Sequence, residues 1–117
     1  MKTLTTQQFE ELRQDKNPTV VNTLEKEHFE KKHIPKSINV PVSAPDLEQR
    51  VEGEAGGKDK PVVVYCAGQE CDASAKAGKR LEEAGFSQVY DFEGGTEAWE
   101  KAGHPIEGKG KAAAGCC

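Results

Sequence analysis

The sequence predicts an α/β domain with a central, mostly parallel sheet of about five strands flanked by helices. Short β-branched runs alternate with amphipathic stretches along the chain, a pattern typical of βαβ units. One run, Val62–Tyr65, is continuously apolar, as expected of a central strand covered on both faces. The length of 117 residues suits a single domain.

The first half of the chain predicts short elements separated by prolines. Thr5 with Gln8 three residues later has the pattern of a capping box, which predicts a helix that ends at Asn17-Pro18. The β-branched run 19–22 then predicts a buried strand. The later elements are a helical turn at 28–32, a strand at 37–40 stopped by Pro41, and a short helix capped by Ser43 with Asp46 at its third position.

The second half carries the clearer pattern. Residues 52–60 show no periodicity and predict an exposed loop. After the strand at 62–65 and a polar loop at 66–72, an apolar stripe at helical spacing predicts a helix that ends at Gly85. The stripe consists of Ala73, Ala77, Leu81 and Ala84. A last strand at 88–92, a turn at Gly94-Gly95 and a helix at 96–102 with Trp99 as core follow.

The composition excludes several classes of protein. Sixteen basic against 20 acidic residues give a net charge of −4, which argues against a nucleic-acid binder that relies on positive charge. No apolar run is long enough to span a membrane, and the first residues lack the apolar stretch of a secretory signal. We therefore expect a cytoplasmic monomer with no nucleic-acid or membrane partner.

Cys66 is the candidate nucleophile. It directly follows the central strand and precedes a helix, at the sheet edge where ligands of α/β proteins gather. Backbone amides of the loop and the positive end of the helix could surround the sulfur and stabilise a thiolate or a persulfide there. The amides in question are those of Ala67, Gly68, Gln69, Glu70, Asp72 and Ala73. The alternative is that Cys66 is a buried strand-end cysteine that packs as a small hydrophobe.

A second cysteine lies in the same loop at C-x4-C spacing. Cys71 could accept sulfur from Cys66 or close a transient disulfide with it, which would make it an auxiliary thiol. Its other interpretation is simple packing near the helix start.

Four segments, in order, resemble a single-domain rhodanese, the sulfurtransferase family, over about residues 4–107. They are 20–23 with HIPKSINVP at 33–41, VVVYC at 62–66, SAKA at 74–77, and FEGGTEAWEKAGHPI at 92–106. The resemblance implies a rhodanese-like three-layer domain. It also implies that Cys66 takes a sulfane sulfur from a donor such as thiosulfate or a persulfide and passes it to a thiophilic acceptor. That acceptor would be a small molecule, a protein or a low-molecular-weight thiol.

No metal or organic cofactor is implied by the resemblance, and ping-pong kinetics are expected. The competing class is a non-enzymatic persulfide carrier or a redox-sensing module that uses Cys66 and Cys71. Both classes depend on the same cysteine, so the sequence leaves both open.

The sequence departs from the family pattern near the site. Asn22 and Thr23 stand where Asp and Arg are common, so a buried salt link is expected to be absent. The loop is two residues longer than usual and has no arginine, while Glu70 and Asp72 make it acidic. An acidic loop weakens the attraction of dianionic thiosulfate, which favours poor thiosulfate turnover or a different donor.

Three rival functions fit less well. Phosphatases and arsenate reductases of this fold need an arginine to bind the oxyanion, and Asp72 stands at that position. A zinc site from all four cysteines would require the tail to fold back over the loop. The final Cys116-Cys117 pair has the form of a double-cysteine prenylation signal, but no GTPase motif accompanies it. We therefore expect exposed thiols on a dispensable tail. We divide the chain into a domain at 1–107 and a flexible tail at 108–117.

Two further side-chain groups have mainly structural interpretations. His33 is expected to hold a turn by hydrogen bonding rather than to act as a base. Lys76, Lys79 and Arg80 are expected to form a solvated helix face.

Overall fold

A computed structural model of the chain describes residues 1–68 and 71–108. In chain order the elements are β1 (Lys2–Thr3), α1 (Thr6–Lys16), β2 (Thr19–Asn22), α2 (Lys26–Lys31), β3 (Ile38–Asn39), α3 (Leu47–Ala55), β4 (Val62–Tyr65), α4 (Ala73–Glu83), β5 (Val89–Phe92) and α5 (Gly95–Lys101). Cys116 and Cys117, with the rest of the predicted tail beyond Gly108, lie outside the described residues.

The five strands form one sheet in the order β1-β5-β4-β2-β3, and every strand pair is parallel. β4 lies in the centre, with Val64 opposite Val21 on one side and Asp91 on the other. The predicted fold class is confirmed. All four residues of β4 are buried, which explains why its sequence is apolar without alternation.

Helices cover both faces of the sheet. On one face, α3 and α4 contribute Val51 and Leu81 to a cluster that includes Val62 and Val64. On the other face, Phe9 of α1 and Trp99 of α5 pack with Val63, Tyr65 and Phe92. The Phe9 ring stacks on Phe92 at 4.7 Å and meets Trp99 edge to face at 5.4 Å, so the prediction that Trp99 fills the core is confirmed.

The predictions for residues 43–60 were wrong in two respects. The helix begins after Asp46 rather than at Ser43, whose hydroxyl instead donates to the carboxylate of Glu25. It also continues to Ala55, into the stretch predicted as a loop, because Leu47 and Val51 are anchored in the core one turn apart. The two-residue strand β1 was too short to be recognised from its sequence.

The prediction of a solvated face on α4 was wrong for Arg80. Its guanidinium donates to the backbone oxygens of Val42 and Ala44 at 2.9 and 3.1 Å, and it is paired with Glu48 at 2.8 Å. Arg80 therefore ties α4 to α3 and to the segment after β3. The bidentate bond from Arg80 holds the pKa of Glu48 below its ordinary value.

Within the described parts of the chain, every helix is too short or too polar to cross a bilayer.

Candidate active site

The structure places Cys66 where the sequence predicted it, immediately after the central strand β4. Its side chain is fully buried, and its sulfur is a free thiol that forms no disulfide with Cys71. The carboxyl ends of β2 and β4 meet here, since the amide and the hydroxyl of Thr23 both donate to the carbonyl of Tyr65 at 3.0 Å. The strand register thus fixes the position of the thiol.

The Cys66 thiol has three oxygen atoms within hydrogen-bond reach, any one of which could accept its single S–H proton. Its sulfur lies 3.3 Å from the carbonyl oxygen of Cys71, 3.8 Å from that of Gly68, and 3.6 Å from the hydroxyl oxygen of Ser74. These three oxygens are the polar atoms that the described residues place around the sulfur.

The amides predicted to surround the sulfur are not seen donating to it among the described loop residues. The amide of Cys71 donates instead to the carbonyl of Gly68 at 3.1 Å, which closes a turn. Gln69 and Glu70, two of the predicted contributors, lie outside the described residues. The roles assigned to these amides, to those of Ala67, Asp72 and Ala73, and to Cys71 stay predictions.

An apolar shell surrounds the polar contacts of the thiol. Leu24, Cys71 and Ala73 are buried against Cys66, and Val42 and Ala67 pack beside them. Leu24 follows β2 and Val42 follows β3, so neighbouring connections at one edge of the sheet supply this wall. An apolar wall suits an uncharged sulfur group better than a dianion, because a dianion would lose its hydration there.

The start of α5 anchors the beginning of the loop. The amides of Thr96 and Glu97 donate to the carbonyls of Cys66 and Ala67 at 3.1 and 2.9 Å. Gly95 has φ +61, and a Cβ there would collide with the Cys66 carbonyl. Glycine is therefore required at this position for two reasons, its conformation and the close approach. The sequence showed only a Gly-Gly turn, and this role in positioning the nucleophile was missed.

Two further residues on the sheet side of the thiol were not recognised from the sequence. Ser74 and Asp91 are each only 2% exposed, although both are polar. Desolvation raises the pKa of Asp91 above its ordinary value, a hydrogen bond from Ser74 opposes the rise, and the charge of Glu93 adds to it. An aspartate within a predicted strand is the one signal that could have revealed them.

The charged side chains near the loop are mainly acidic. The side chain of Glu97 lies beside Gly68, and the exposed Asp72 is paired with Lys76 at 3.3 Å. The position where related phosphate-binding loops need an arginine thus carries an exposed aspartate. Among the described residues there is no cluster of His, Cys, Asp and Glu that could hold a metal ion.

Asn22 and Thr23, which stand where the family commonly has Asp and Arg, are buried and uncharged. The side-chain oxygen of Asn22 accepts a hydrogen bond from the amide of Leu24 at 2.9 Å, while its side-chain nitrogen has no partner among the described residues.

His33, in the HIP segment, forms a hydrogen bond with the carbonyl of Phe29 at 2.8 Å, and its ring stacks on the Phe29 ring. The prediction that His33 holds a turn is confirmed.

The model of the rhodanese-like domain matches residues 5–102 of this chain. The chain belongs to the rhodanese-like domain family. Thiosulfate sulfurtransferase GlpE of Coxiella burnetii is 31% identical over 101 residues, which cover 86% of this chain and 88% of the relative.

Solved structures agree with this family. The BH2092 protein of Bacillus halodurans superposes with a TM-score of 0.77 at 25% identity, over 92% of this chain and 77% of the other. The rhodanese-like domain of the Alr3790 protein from Anabaena superposes with a TM-score of 0.77 at 25% identity, over 98% of this chain and 86% of the other. The rhodanese resemblance predicted from four sequence segments is confirmed.

Proposed function

We propose that this rhodanese-like chain is a sulfurtransferase in which Cys66 carries a sulfane sulfur as a persulfide. The observation that supports it most is the position of the free Cys66 thiol, which follows the central strand and faces three hydrogen-bond acceptors rather than apolar atoms alone. A cysteine that served only as a small hydrophobe would not need them. The relative from Coxiella burnetii bears the name thiosulfate sulfurtransferase.

The reaction takes two displacements. The Cys66 thiolate attacks the sulfane sulfur of the donor, a new S–S bond forms, and the bond within the donor breaks so that sulfite or a thiolate leaves. A thiophilic acceptor then attacks the outer sulfur, and Cys66 leaves as a thiolate. No metal or organic cofactor takes part in these steps.

A persulfide of a thiol fits the surroundings of Cys66 better than thiosulfate does. The wall is apolar, and the charges nearby include Glu97 beside Gly68 and Asp72 at the start of α4. Both would repel a dianion, and Lys76, a cation in the first turns of α4, is already paired with Asp72. We therefore propose a persulfide as the preferred donor and thiosulfate as a slow one.

The activity is tested by measuring sulfur transfer to cyanide from a small-molecule persulfide and from thiosulfate. Many turnovers that vanish in Cys66→Ser support the enzyme. A single stoichiometric transfer favours the alternative function, a persulfide carrier or redox module. If neither donor loads sulfur on Cys66, the proposal is wrong.

The charge argument has its own test. The double variant Asp72→Asn/Glu97→Gln should raise kcat/KM for thiosulfate about 3- to 10-fold at low salt, because removal of like charge speeds the approach of a dianion. Transfer from the persulfide of a small neutral thiol, which carries at most one negative charge, should change less. Glu54→Gln, at an exposed position of α3, is the control and should change neither rate.

A monomeric state, the absence of nucleic-acid and membrane partners, and a cytoplasmic location stay predictions.

A further inference from the structure

Leu24 has the bulkiest side chain in the apolar shell around Cys66, and the proposed reaction does not yet give it a task. Cys66 is fully buried, whereas Leu24, Cys71 and Ala73 are 6%, 7% and 7% exposed. These three residues therefore form the outer layer of the described shell, and the sulfur lies beneath it. A donor can reach the sulfur only when a covering side chain turns aside.

Leu24 lies where the chain leaves the interior. Thr23 before it is fully buried, and Glu25 after it is exposed. The Leu24 side chain is thus at the boundary between solvent and the covered thiol.

Hydrogen bonds on both sides hold the backbone of Leu24. Its amide donates to the side-chain oxygen of Asn22 at 2.9 Å, and its carbonyl accepts from the side-chain nitrogen of Asn39 at 2.8 Å. These two asparagines end β2 and β3, so the bonds tie Leu24 to the sheet. With its backbone held, Leu24 makes room only by a change of side-chain rotamer, and the room gained in a close-packed shell is small.

We propose that Leu24 sets the width of the sulfur donor that can reach Cys66. This inference rests on the proposed function, in which a donor brings its outer sulfur to the Cys66 thiolate. It assigns the donor to persulfides of slender thiols that are unbranched at the carbon bearing the sulfur. A branched donor must displace Leu24 further, and forcing extra methyl groups into a packed shell costs free energy. Leu24 is therefore a specificity-determining residue.

The test is alkylation of Cys66, which needs no sulfur transfer. The chain is treated with iodoacetamide and, separately, with the wider N-tert-butyl iodoacetamide, and peptide mass mapping locates the modified residue. Both reagents are uncharged, so charge steering does not enter. The ratio of the two rates is divided by the same ratio for free N-acetylcysteine, which removes the intrinsic reactivity of the reagents. The quotient is the size preference of the protein.

We expect the wild-type chain to favour the small reagent about 10-fold, and Leu24→Ala to fall within about 3-fold of the free thiol. Leu4→Ala is the matched control, because a Leu→Ala change in a core also destabilises the fold. Leu4 is 7% exposed, and its cluster with Phe9 and Trp99 shares no member with the shell around Cys66. Leu4→Ala should keep the wild-type size preference.

Three results would overturn the role of Leu24. They are a wild-type chain without a size preference, a Leu24→Ala chain that keeps it, and a Leu4→Ala chain that loses it equally. If Leu24→Ala does not fold, Leu24→Val decides, since it trims the side chain less and should lose part of the preference. A full wild-type preference in Leu24→Val would then contradict the proposal.

The class of donor is tested with two persulfides, those of N-acetylcysteine and N-acetylpenicillamine. They carry the same charges and differ by two methyl groups on the carbon that bears the sulfur. In transfer to cyanide, the wild-type chain should favour the cysteine derivative about 3- to 10-fold in kcat/KM, and Leu24→Ala should narrow that gap. A gap that is unchanged in Leu24→Ala would show that Leu24 does not choose the donor.

The alkylation experiment also separates this proposal from the proposed function. A size preference that depends on Leu24, in a chain whose Cys66 never gains sulfur, supports the role of Leu24 and contradicts the sulfurtransferase. Sulfur transfer through Cys66 with a size preference that is independent of Leu24 does the reverse.

Discussion

The contact between α5 and the nucleophile loop makes Gly95→Ala the most informative single change for stability. At φ +61, an alanine costs about 1–2 kcal/mol relative to glycine because its Cβ crowds the backbone. The added Cβ would also overlap the Cys66 carbonyl, so the backbone at the start of α5 and the backbone of the Cys66 loop must move apart. That movement breaks the bonds that the amides of Thr96 and Glu97 make to this loop, each worth about 1 kcal/mol.

We therefore expect Gly95→Ala to lower the free energy of unfolding by about 2–4 kcal/mol, a large share of the 5–15 kcal/mol typical of a domain. The assay is urea denaturation followed by tryptophan fluorescence, since Trp99 lies in the same helix. Gly53→Ala is the matched control. Gly53 lies in α3 with open space around it, and alanine there should stabilise the fold by about 0.5–1 kcal/mol. A loss below about 0.5 kcal/mol in Gly95→Ala would refute the reasoning.

Three further predictions concern buried or paired polar groups. Tyr65→Phe removes the hydroxyl that accepts the amide of Ile34 at 3.0 Å, and should cost about 1–3 kcal/mol in urea denaturation. The bond from Arg80 holds the pKa of Glu48 below 4.5, so its stabilising effect is present above that pH and is lost as the pH falls through the lowered pKa. Glu48→Gln should therefore be less stable than wild type at pH 6, with a difference that shrinks on acidification. Burial raises the pKa of Asp91 above 3.8, so the ionised side chain destabilises the fold at neutral pH. Asp91→Asn should be more stable than wild type at pH 7, and equally stable at pH 3.

Much of the fold could be predicted from local sequence patterns. The apolar stripe that includes Ala77 and Leu81 predicted α4, and the apolar run Val62–Tyr65 predicted the central strand. Burial of one face gives apolar residues at regular spacing, and burial of both faces gives a continuous apolar run. The position of Cys66 followed from the same reasoning. The family resemblance rested on four segments in register, which no single segment could have supported.

The features that were missed depend on contacts between residues distant in sequence. Arg80 looks like any exposed helix cation until α3 and the Val42 carbonyl are placed beside it. Gly95 resembles an ordinary turn residue until the Cys66 carbonyl approaches it. The contact between Cys66 and Ser74 joins the end of a strand to a helix, and no spacing along the chain encodes it.

The direction of the loop's backbone groups is a further difference from the sequence-based expectation. Amides were predicted to surround the sulfur, whereas carbonyl oxygens of Gly68 and Cys71 face it among the described residues. Composition and spacing identify a loop but leave the orientation of each peptide unit open.

The central claim, that Cys66 carries the transferred sulfur, is tested most directly by intact-mass measurement after incubation with a small-molecule persulfide and, separately, with thiosulfate. We predict a gain of one sulfur atom that peptide mapping locates on Cys66, that disappears on addition of cyanide, and that is absent in Cys66→Ser. A chain that gains no sulfur from either donor, or that carries it equally well in Cys66→Ser, would contradict the account.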